Sequence, residues 1–260
     1  MHFIALALAL SLQQALPSDS AVRDLLRSRV TALPDTGKHG EGIVVGLLDR
    51  GRRLVAVGVG ADDVFEIGSI TKVFTASILA DMVTRGEVRL DDPVAKYLPA
   101  SAHIPSRNGR QITLFDLATQ SSGLPRMPSN LTPRDSMNPY ADYTVQQMYA
   151  FLSGYQLPRD IGASYEYSNL GVGLLGHALS LGARTSYEQL VTRRILAPLG
   201  MTETAITLPP ALRARLAPGH DAAGHVVPNW DLPTLAGAGA LRSTATDLIK
   251  IGRASCRERV

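Results

Sequence analysis

Residues 69–84 constrain this chain more than any other stretch. Ile70, Val73, Phe74, Ile78, Leu79 and Met82 recur there at helical spacing. They cover most of a helix's circumference, so the helix is expected to be buried on several sides. A chain built round it needs other elements on each flank, and 260 residues suffice for one large domain or two lobes. The helix follows a loop ending at Gly68 and stops at Gly86. Its first turn reads Ser69-Ile70-Thr71-Lys72. Residues three apart share a helix face, with roughly 5–6 Å between Cβ atoms. A hydroxyl at the positive end of the helix dipole, one turn from an amine, becomes a nucleophile if the amine takes its proton. The pattern is short, and a lysine after a helix-starting serine is commonly just a solvated residue. Lysine is scarce here, however: the others are Lys38, Lys96 and Lys250, and none of them follows a serine by three.

A second group of chemistry-bearing residues is Tyr165-Glu166-Tyr167-Ser168-Asn169. It leads into an apolar helix over 170–181, whose Gly171, Gly173 and Gly176 allow close packing. A phenol beside an ammonium loses its proton more readily and can serve as a base. An amide can orient a substrate carbonyl or amide. The plainer alternative is a tyrosine-rich helix start with Asn169 as N-cap.

Other segments are read from periodicity and breakers. An amphipathic helix is expected over 20–33, capped by Ser20, with Val22, Leu25, Leu26 and Val30 on one face and Pro34 as its stop. Residues 41–49 and 53–60 are two β-rich runs around the turn Asp49-Arg50-Gly51-Arg52, hence a hairpin, which needs further partners to be stable. Helices are expected over 112–119, with Thr113 as N-cap, over 145–152, and over 186–199. Residues 127–143 are rich in Pro, Asn and Asp and read as a long loop. The small-residue run at 236–241 suggests backbone passing close to a neighbour. Ser243 or Thr244 then caps a helix beginning at Ala245.

Several classes are excluded. The net charge of +3 is small and scattered, and no Lys/Arg run is interleaved with aromatics, so no nucleic-acid partner is expected. The single cysteine, Cys256, rules out disulfides and cysteine–zinc sites. His220 and His225 bracket a turn but lack a third ligand, so no metal or other cofactor is expected. Residues 3–12 form an apolar run too short to span a bilayer. Residues 1–20 are read as a signal peptide, although no Lys or Arg precedes the run and no clean Ala-x-Ala site follows it. On that reading of the N-terminus the protein is expected to be periplasmic or secreted.

The motifs occur together and in order: Phe65-Glu66-Ile67-Gly68-Ser69-Ile70-Thr71-Lys72, Leu90-Asp91-Asp92-Pro93, Leu117-Ala118-Thr119-Gln120-Ser121-Ser122-Gly123-Leu124-Pro125, Tyr165-Glu166-Tyr167-Ser168-Asn169-Leu170-Gly171, Ile195-Leu196-Ala197-Pro198-Leu199-Gly200-Met201 and Gly237-Ala238-Gly239-Ala240-Leu241-Arg242-Ser243-Thr244. From about Asp19 to Lys250 the chain resembles the class C β-lactamase and penicillin-binding-protein superfamily of serine hydrolases. The resemblance implies an α+β fold, an antiparallel sheet flanked by helices with an inserted all-helical lobe. It implies Ser69 as nucleophile, Lys72 as its activator, Tyr167 as proton relay and Asn169 as a substrate-amide ligand, with the Ser69 backbone N–H as an oxyanion donor. Tyr-Ser-Asn in place of Ser-Asp-Asn favours the class C-like branch. The implied substrate is a small molecule: a β-lactam or related amide, or alternatively a D-Ala-D-Ala peptide or an ester. A non-catalytic penicillin-recognising protein is a third alternative.

The resemblance also implies a Lys-Thr-Gly strand that borders the pocket, and none follows Leu241. The final residues, Ile251-Gly252-Arg253-Ala254-Ser255-Cys256-Arg257-Glu258-Arg259-Val260, match a translated sequencing adaptor, ATC GGA AGA GCG TCG TGT AGG GAA AGA GTG. Residues 21–250 are accordingly read as a truncated hydrolase domain and 251–260 as foreign. Without Arg253, Arg257 and Arg259 against Glu258, the net charge falls to +1. A fragment lacking those strands is expected to expose a sheet edge, to be poorly soluble and to be inactive.

Overall fold

The computed structural model describes residues 16–30, 42–48, 52–57, 59–221 and 223–257. Most of the expected signal peptide and residues 258–260 lie outside that set. Among the described residues no helix is long and apolar enough to cross a membrane.

The expected hairpin is present. β1 (Ile43–Leu48) pairs antiparallel with β2 (Arg52–Val57), Ile43 opposite Val57. Alternation sends Ile43, Val45, Leu47, Val55 and Val57 to one face, where Val22 and Leu26 of helix α1 (Asp19–Val30) cover them. Leu25, expected on the apolar face of α1, is 58% exposed. The α1 cap is Ser18 rather than Ser20: the Ala21 N–H donates to Ser18 Oγ at 3.2 Å. Gly46 lies on the opposite face of β1, where a Cβ would sit 2.6 Å from Ile249 Cδ1. The hairpin is thus held between two helices.

Two-residue ladders make up the other strands: β3 (Phe65–Glu66) with β8 (Arg242–Ser243), β4 (Ser106–Arg107) with β5 (Arg110–Gln111), and β6 (Gly219–His220) with β7 (Val226–Val227). All four sheets are two-stranded among the described residues, so the broad antiparallel sheet that the resemblance implies is represented there by paired fragments.

The helical lobe is built on α2 (Thr71–Thr84), and the buried stripe of this helix differs from expectation. Thr71, Phe74, Thr75, Ile78, Leu79 and Met82 form one continuous face, while Ile70 and Val73 are 47% and 49% exposed. Hydrogen bonding explains the difference. Thr75 Oγ1 donates to the Gly237 carbonyl at 2.7 Å, and the Leu241 N–H donates to Thr71 Oγ1 at 3.2 Å. Satisfied hydroxyls can lie inside at little cost.

Helices α3 (Leu114–Ala118), α4 (Val145–Gly154) and α5 (Asn169–Gly182) follow expectation closely. Thr113 and Thr144 each form a capping box, with Asp116 and Gln147. Residues 127–143 carry no helix or strand. The helix expected over 186–199 is instead α6 (Tyr187–Val191) continued by a π-turn at Thr192–Leu196. After α7 (Pro210–Arg213), the small-residue run forms a one-turn helix, α8 (Ala236–Gly239), followed by β8. It lies directly on α5: a Cβ at Gly237 would come within 3.0 Å of the Gly176 Cα. Thr244 Oγ1 accepts from the Asp247 N–H at 3.2 Å and so caps α9 (Ala245–Arg257).

Candidate active site

Gly68 adopts φ +48°, a left-handed turn, and opens a 3₁₀ turn over Gly68–Ile70 that leads into α2. β3 and its continuation, in which the Ile67 N–H donates to the Leu241 carbonyl at 3.1 Å, fix the approach to this turn. Ser69 is solvent-accessible there. Lys72 stands one turn further on, half-buried, and donates to three acceptors: Ser69 Oγ at 3.0 Å, Asn169 Oδ1 at 2.9 Å and the Ala238 carbonyl at 2.7 Å.

Ser168 is the N-cap of α5, its Oγ accepting from the Gly171 N–H at 2.8 Å. The alternative role for Asn169 therefore does not hold. Asn169 is the first helical residue, and its side chain is free to meet Lys72. Tyr167 precedes the cap, and its hydroxyl lies 2.5 Å from Ser69 Oγ. All four residues singled out from the sequence thus meet at one point.

The charges are mutually adjusted. Burial lowers the Lys72 pKa, the Tyr167 phenol offsets part of this, and the Arg126 guanidinium adds to it. Burial pulls the Tyr167 phenol upward. The Lys72 amine, the Ser69 hydrogen bond and the Arg126 guanidinium outweigh it, leaving the phenol below its ordinary value. The two groups form a coupled pair, so each proton belongs to the pair. With Lys72 donating to Ser69 Oγ, the proton between Ser69 Oγ and the Tyr167 hydroxyl can sit on either oxygen.

A cavity of about 120 Å³ opens beside Ser69, with Asn169, Tyr140, Trp230, Leu235 and Gly239 among its lining. Tyr140 and Trp230 pack with ring centroids 5.3 Å apart. Trp230 is anchored by its Nε1–H to the Met137 carbonyl at 2.9 Å and by its backbone N–H to Glu66 Oε1 at 2.8 Å. Sequence reasoning missed Tyr140 and Trp230, because no spacing links the long loop or Trp230 to Ser69; the run at 236–241 is expected to pass close to a neighbour, but not to offer the Ala238 carbonyl to Lys72. His225 Nδ1, considered above as a metal ligand, lies 3.1 Å from Asp221 Oδ2.

The β-lactamase family model matches residues 22–259. The chain belongs to the β-lactamase family. This β-lactamase-family chain is 35% identical over 190 residues to the D-alanyl-D-alanine-carboxypeptidase/endopeptidase AmpH of Escherichia coli K12, covering 73% of this chain and 48% of that protein. It is 30% identical over 197 residues to a β-lactamase of Lysobacter lactamgenus, covering 74% and 47%. A class C β-lactamase structure from Rhodobacter sphaeroides matches with TM-score 0.71 and 27% identity, covering 90% of this chain and 63% of that one. A β-lactamase/D-alanine carboxypeptidase structure from Yersinia pestis complexed with citrate matches with TM-score 0.72 and 26% identity, covering 90% and 68%. The fold is that of these α+β proteins. The chain spans about half the length of the curated relatives it matches.

Proposed function

We propose that the whole protein is a serine hydrolase of the β-lactamase type, acting through an acyl-enzyme on a β-lactam or related amide. The observation that carries this reading is the convergence of Lys72 and Tyr167 on Ser69 Oγ, at 3.0 Å and 2.5 Å.

The chemistry follows from those contacts. Tyr167, as phenolate, takes the Ser69 proton while Oγ forms a bond to the substrate carbonyl carbon. The carbonyl electron pair moves onto oxygen, where the Ser69 backbone N–H stabilises it. When that pair returns, the C–N bond breaks, and the phenol proton passes to the leaving nitrogen. The product is an ester on Ser69, with Tyr167 again a phenolate. Tyr167 then takes a proton from water as the water attacks the ester, and returns it to Ser69 Oγ as the acid leaves. Lys72 stays an ammonium throughout and holds the negative charge near Tyr167. Asn169 orients the substrate amide.

A D-Ala-D-Ala carboxypeptidase or esterase is the second reading, favoured by the carboxypeptidase/endopeptidase name of the Escherichia coli relative. Turnover of a chromogenic cephalosporin, a D-Ala-D-Ala peptide and a short p-nitrophenyl ester by the full-length product of the source locus separates the readings. Fastest turnover of the cephalosporin supports the first. Stoichiometric labelling by penicillin without turnover of any of the three overturns both in favour of a penicillin-recognising protein. The apolar run at residues 3–12 supports a periplasmic or secreted location, which fractionation and sequencing of the mature N-terminus test.

A further inference from the structure

Three consecutive residues of the loop after α3 grip the corner that carries Tyr167 and Asn169. The Pro125 carbonyl accepts from Ser168 Oγ at 2.6 Å. The Arg126 carbonyl accepts from the Asn169 N–H at 3.0 Å. Met127 Sδ accepts from Asn169 Nδ2 at 3.5 Å. The backbone therefore fixes where Arg126 leaves the chain, whatever its side chain does. That side chain extends over the Tyr167 ring, Cζ 5.1 Å from the centroid. Lys72 Nζ lies 4.8 Å from the same centroid. Arg126 forms no ion pair among the described residues, although most arginines of the lobe do; Arg110, Arg159 and Arg194 are each matched to a carboxylate. The loop thus places an unneutralised guanidinium against the ring of the residue that accepts the Ser69 proton.

We propose that Arg126 is a positioning residue: a fixed positive charge that favours the phenolate form of Tyr167 and so holds the proton acceptor ready for Ser69. An arginine suits this role because it stays protonated at any working pH and stacks its planar head on an aromatic ring. The charges facing Tyr167 support the assignment. Lys72 and Ser69 face it from the first turns of the long lobe helix, Arg126 from the loop, and Tyr140 from the long loop opposite. Glu166, the adjacent carboxylate, is turned away into an ion pair with Arg159. Glu66, across the cavity, is held by the Trp230 N–H and Arg242. The nearby formal charges that act on the phenol are therefore both cationic. The Arg126 charge also disfavours the proton on Lys72 and opposes the upward shift of Tyr140, the direction expected of a cation acting on the whole cluster. Arg126 is exposed, so its effect is partly screened and falls as salt rises.

The kinetic part of the test rests on the hydrolase reading; the spectroscopic part does not. Tyrosines are labelled with ¹³C at Cζ, and the Tyr167 signal is identified by its loss in Tyr167→Phe. The titration is then followed in the parent chain, in Arg126→Gln and in Arg126→Lys. The neutral variant is expected to move the Tyr167 midpoint up by about half a pH unit, the size of a unit charge near 5 Å in water-like dielectric. Arg126→Lys restores part of the shift, and 0.5 M salt shrinks the difference. Superimposable Tyr167 curves in the parent and Arg126→Gln overturn the proposal, including the case in which neither ionises. If Arg126→Gln does not fold, the comparison of the parent with Arg126→Lys at low and high salt decides: a salt-sensitive midpoint in both supports the proposal, and salt-insensitive midpoints overturn it. In full-length enzyme, the acidic limb of kcat/KM moves to higher pH in Arg126→Gln with KM unchanged. A rise in KM for anionic substrates without movement of the limb makes Arg126 a substrate ligand instead and overturns the proposal.

Discussion

Lys72 Nζ donates to the Ala238 carbonyl at 2.7 Å across 166 positions of sequence. This contact commits the third ammonium proton of Lys72 to the backbone. A side chain that could otherwise swing is thereby held between Ser69 and Asn169. Three acceptors converge on one nitrogen, a geometry that suits a compact ammonium and does not suit a planar fork.

Lys72→Arg is therefore expected to fail although it keeps the charge. The guanidinium cannot place one nitrogen within reach of Ser69, Asn169 and Ala238 together. Acylation measured by stopped-flow or mass shift in full-length enzyme should fall about a hundredfold, the scale of a misplacement of about 1 Å in the groups round the nucleophile. Retention of near-parent acylation would show that charge alone is what Lys72 supplies.

Ser69→Ala should abolish covalent labelling by a β-lactam or an organophosphonate, because no other described hydroxyl meets both Lys72 and Tyr167. Peptide mapping that finds label elsewhere in the parent enzyme would remove Ser69 from the role of nucleophile.

Tyr167→Phe keeps the ring and its packing against Lys72 and Arg126 while deleting the hydroxyl proposed to accept the Ser69 proton. Turnover should drop by at least about a hundredfold, and the acidic limb of the rate profile should lose the contribution of the pair. The sign follows from the phenol lying below its ordinary value: the phenolate is the active form, so activity rises with pH through the pair's titration. An unaltered profile in the variant would exclude Tyr167 from proton transfer.

Gly237→Ala tests the backbone contact that delivers the Ala238 carbonyl. The added Cβ would lie 3.0 Å from Gly176 Cα and 3.2 Å from both Thr75 Oγ1 and the Val172 carbonyl. Backbone on two sides cannot yield cheaply, so overpacking should cost about 1–3 kcal/mol, read as a lower midpoint in urea. Acylation should weaken as well, since α8 must retreat from Lys72. Unchanged stability would mean the helices can separate without strain.

Acid sensitivity should trace in part to Asp92. Hydrogen bonds from Lys96 and Tyr97, with the Arg89 N–H, hold its carboxyl at about 2. A carboxyl depressed in the folded state stabilises it above the unfolded value of about 3.9 and loses that contribution as pH falls towards about 2. In Asp92→Asn the stability difference from the parent should therefore shrink between about pH 4 and pH 2. A constant difference across that window would assign the stabilisation to shape rather than charge.

Much of the site was legible because its residues sit at helix starts, where local sequence dictates geometry. Ser69 and Lys72 follow from the turn at Gly68, and Thr113 announces its capping box three residues ahead of Asp116. The rest needs tertiary contact. Hydrophobicity alone places Ile70 and Val73 inside, yet the buried side of α2 is chosen by Thr71 and Thr75, whose hydroxyls have partners at Leu241 and Gly237. The carbonyl of Ala238 carries no side-chain signature at all. Arg126 is one of many arginines, and nothing in its spacing announces that its head lies over Tyr167. Ser186 caps its helix by accepting from the Gln189 N–H, but no side chain over 192–196 announces the π-turn that runs up to Pro198.

The short ladder between β3 and β8 sets a clock on the birth of the site. Glu66 and Arg242 are 176 positions apart, and the turn bearing Ser69 has no fixed approach until they meet. At about 5–20 residues per second, the ribosome takes roughly 9–35 s to make the intervening chain. Throughout that interval Ser69 is an ordinary alcohol and Lys72 an ordinary surface amine, because neither Ala238 nor Asn169 has been docked beside them. On the proposed role of Ser69, the nucleophile is therefore born without its partners and gains them only once the chain past Arg242 has been made.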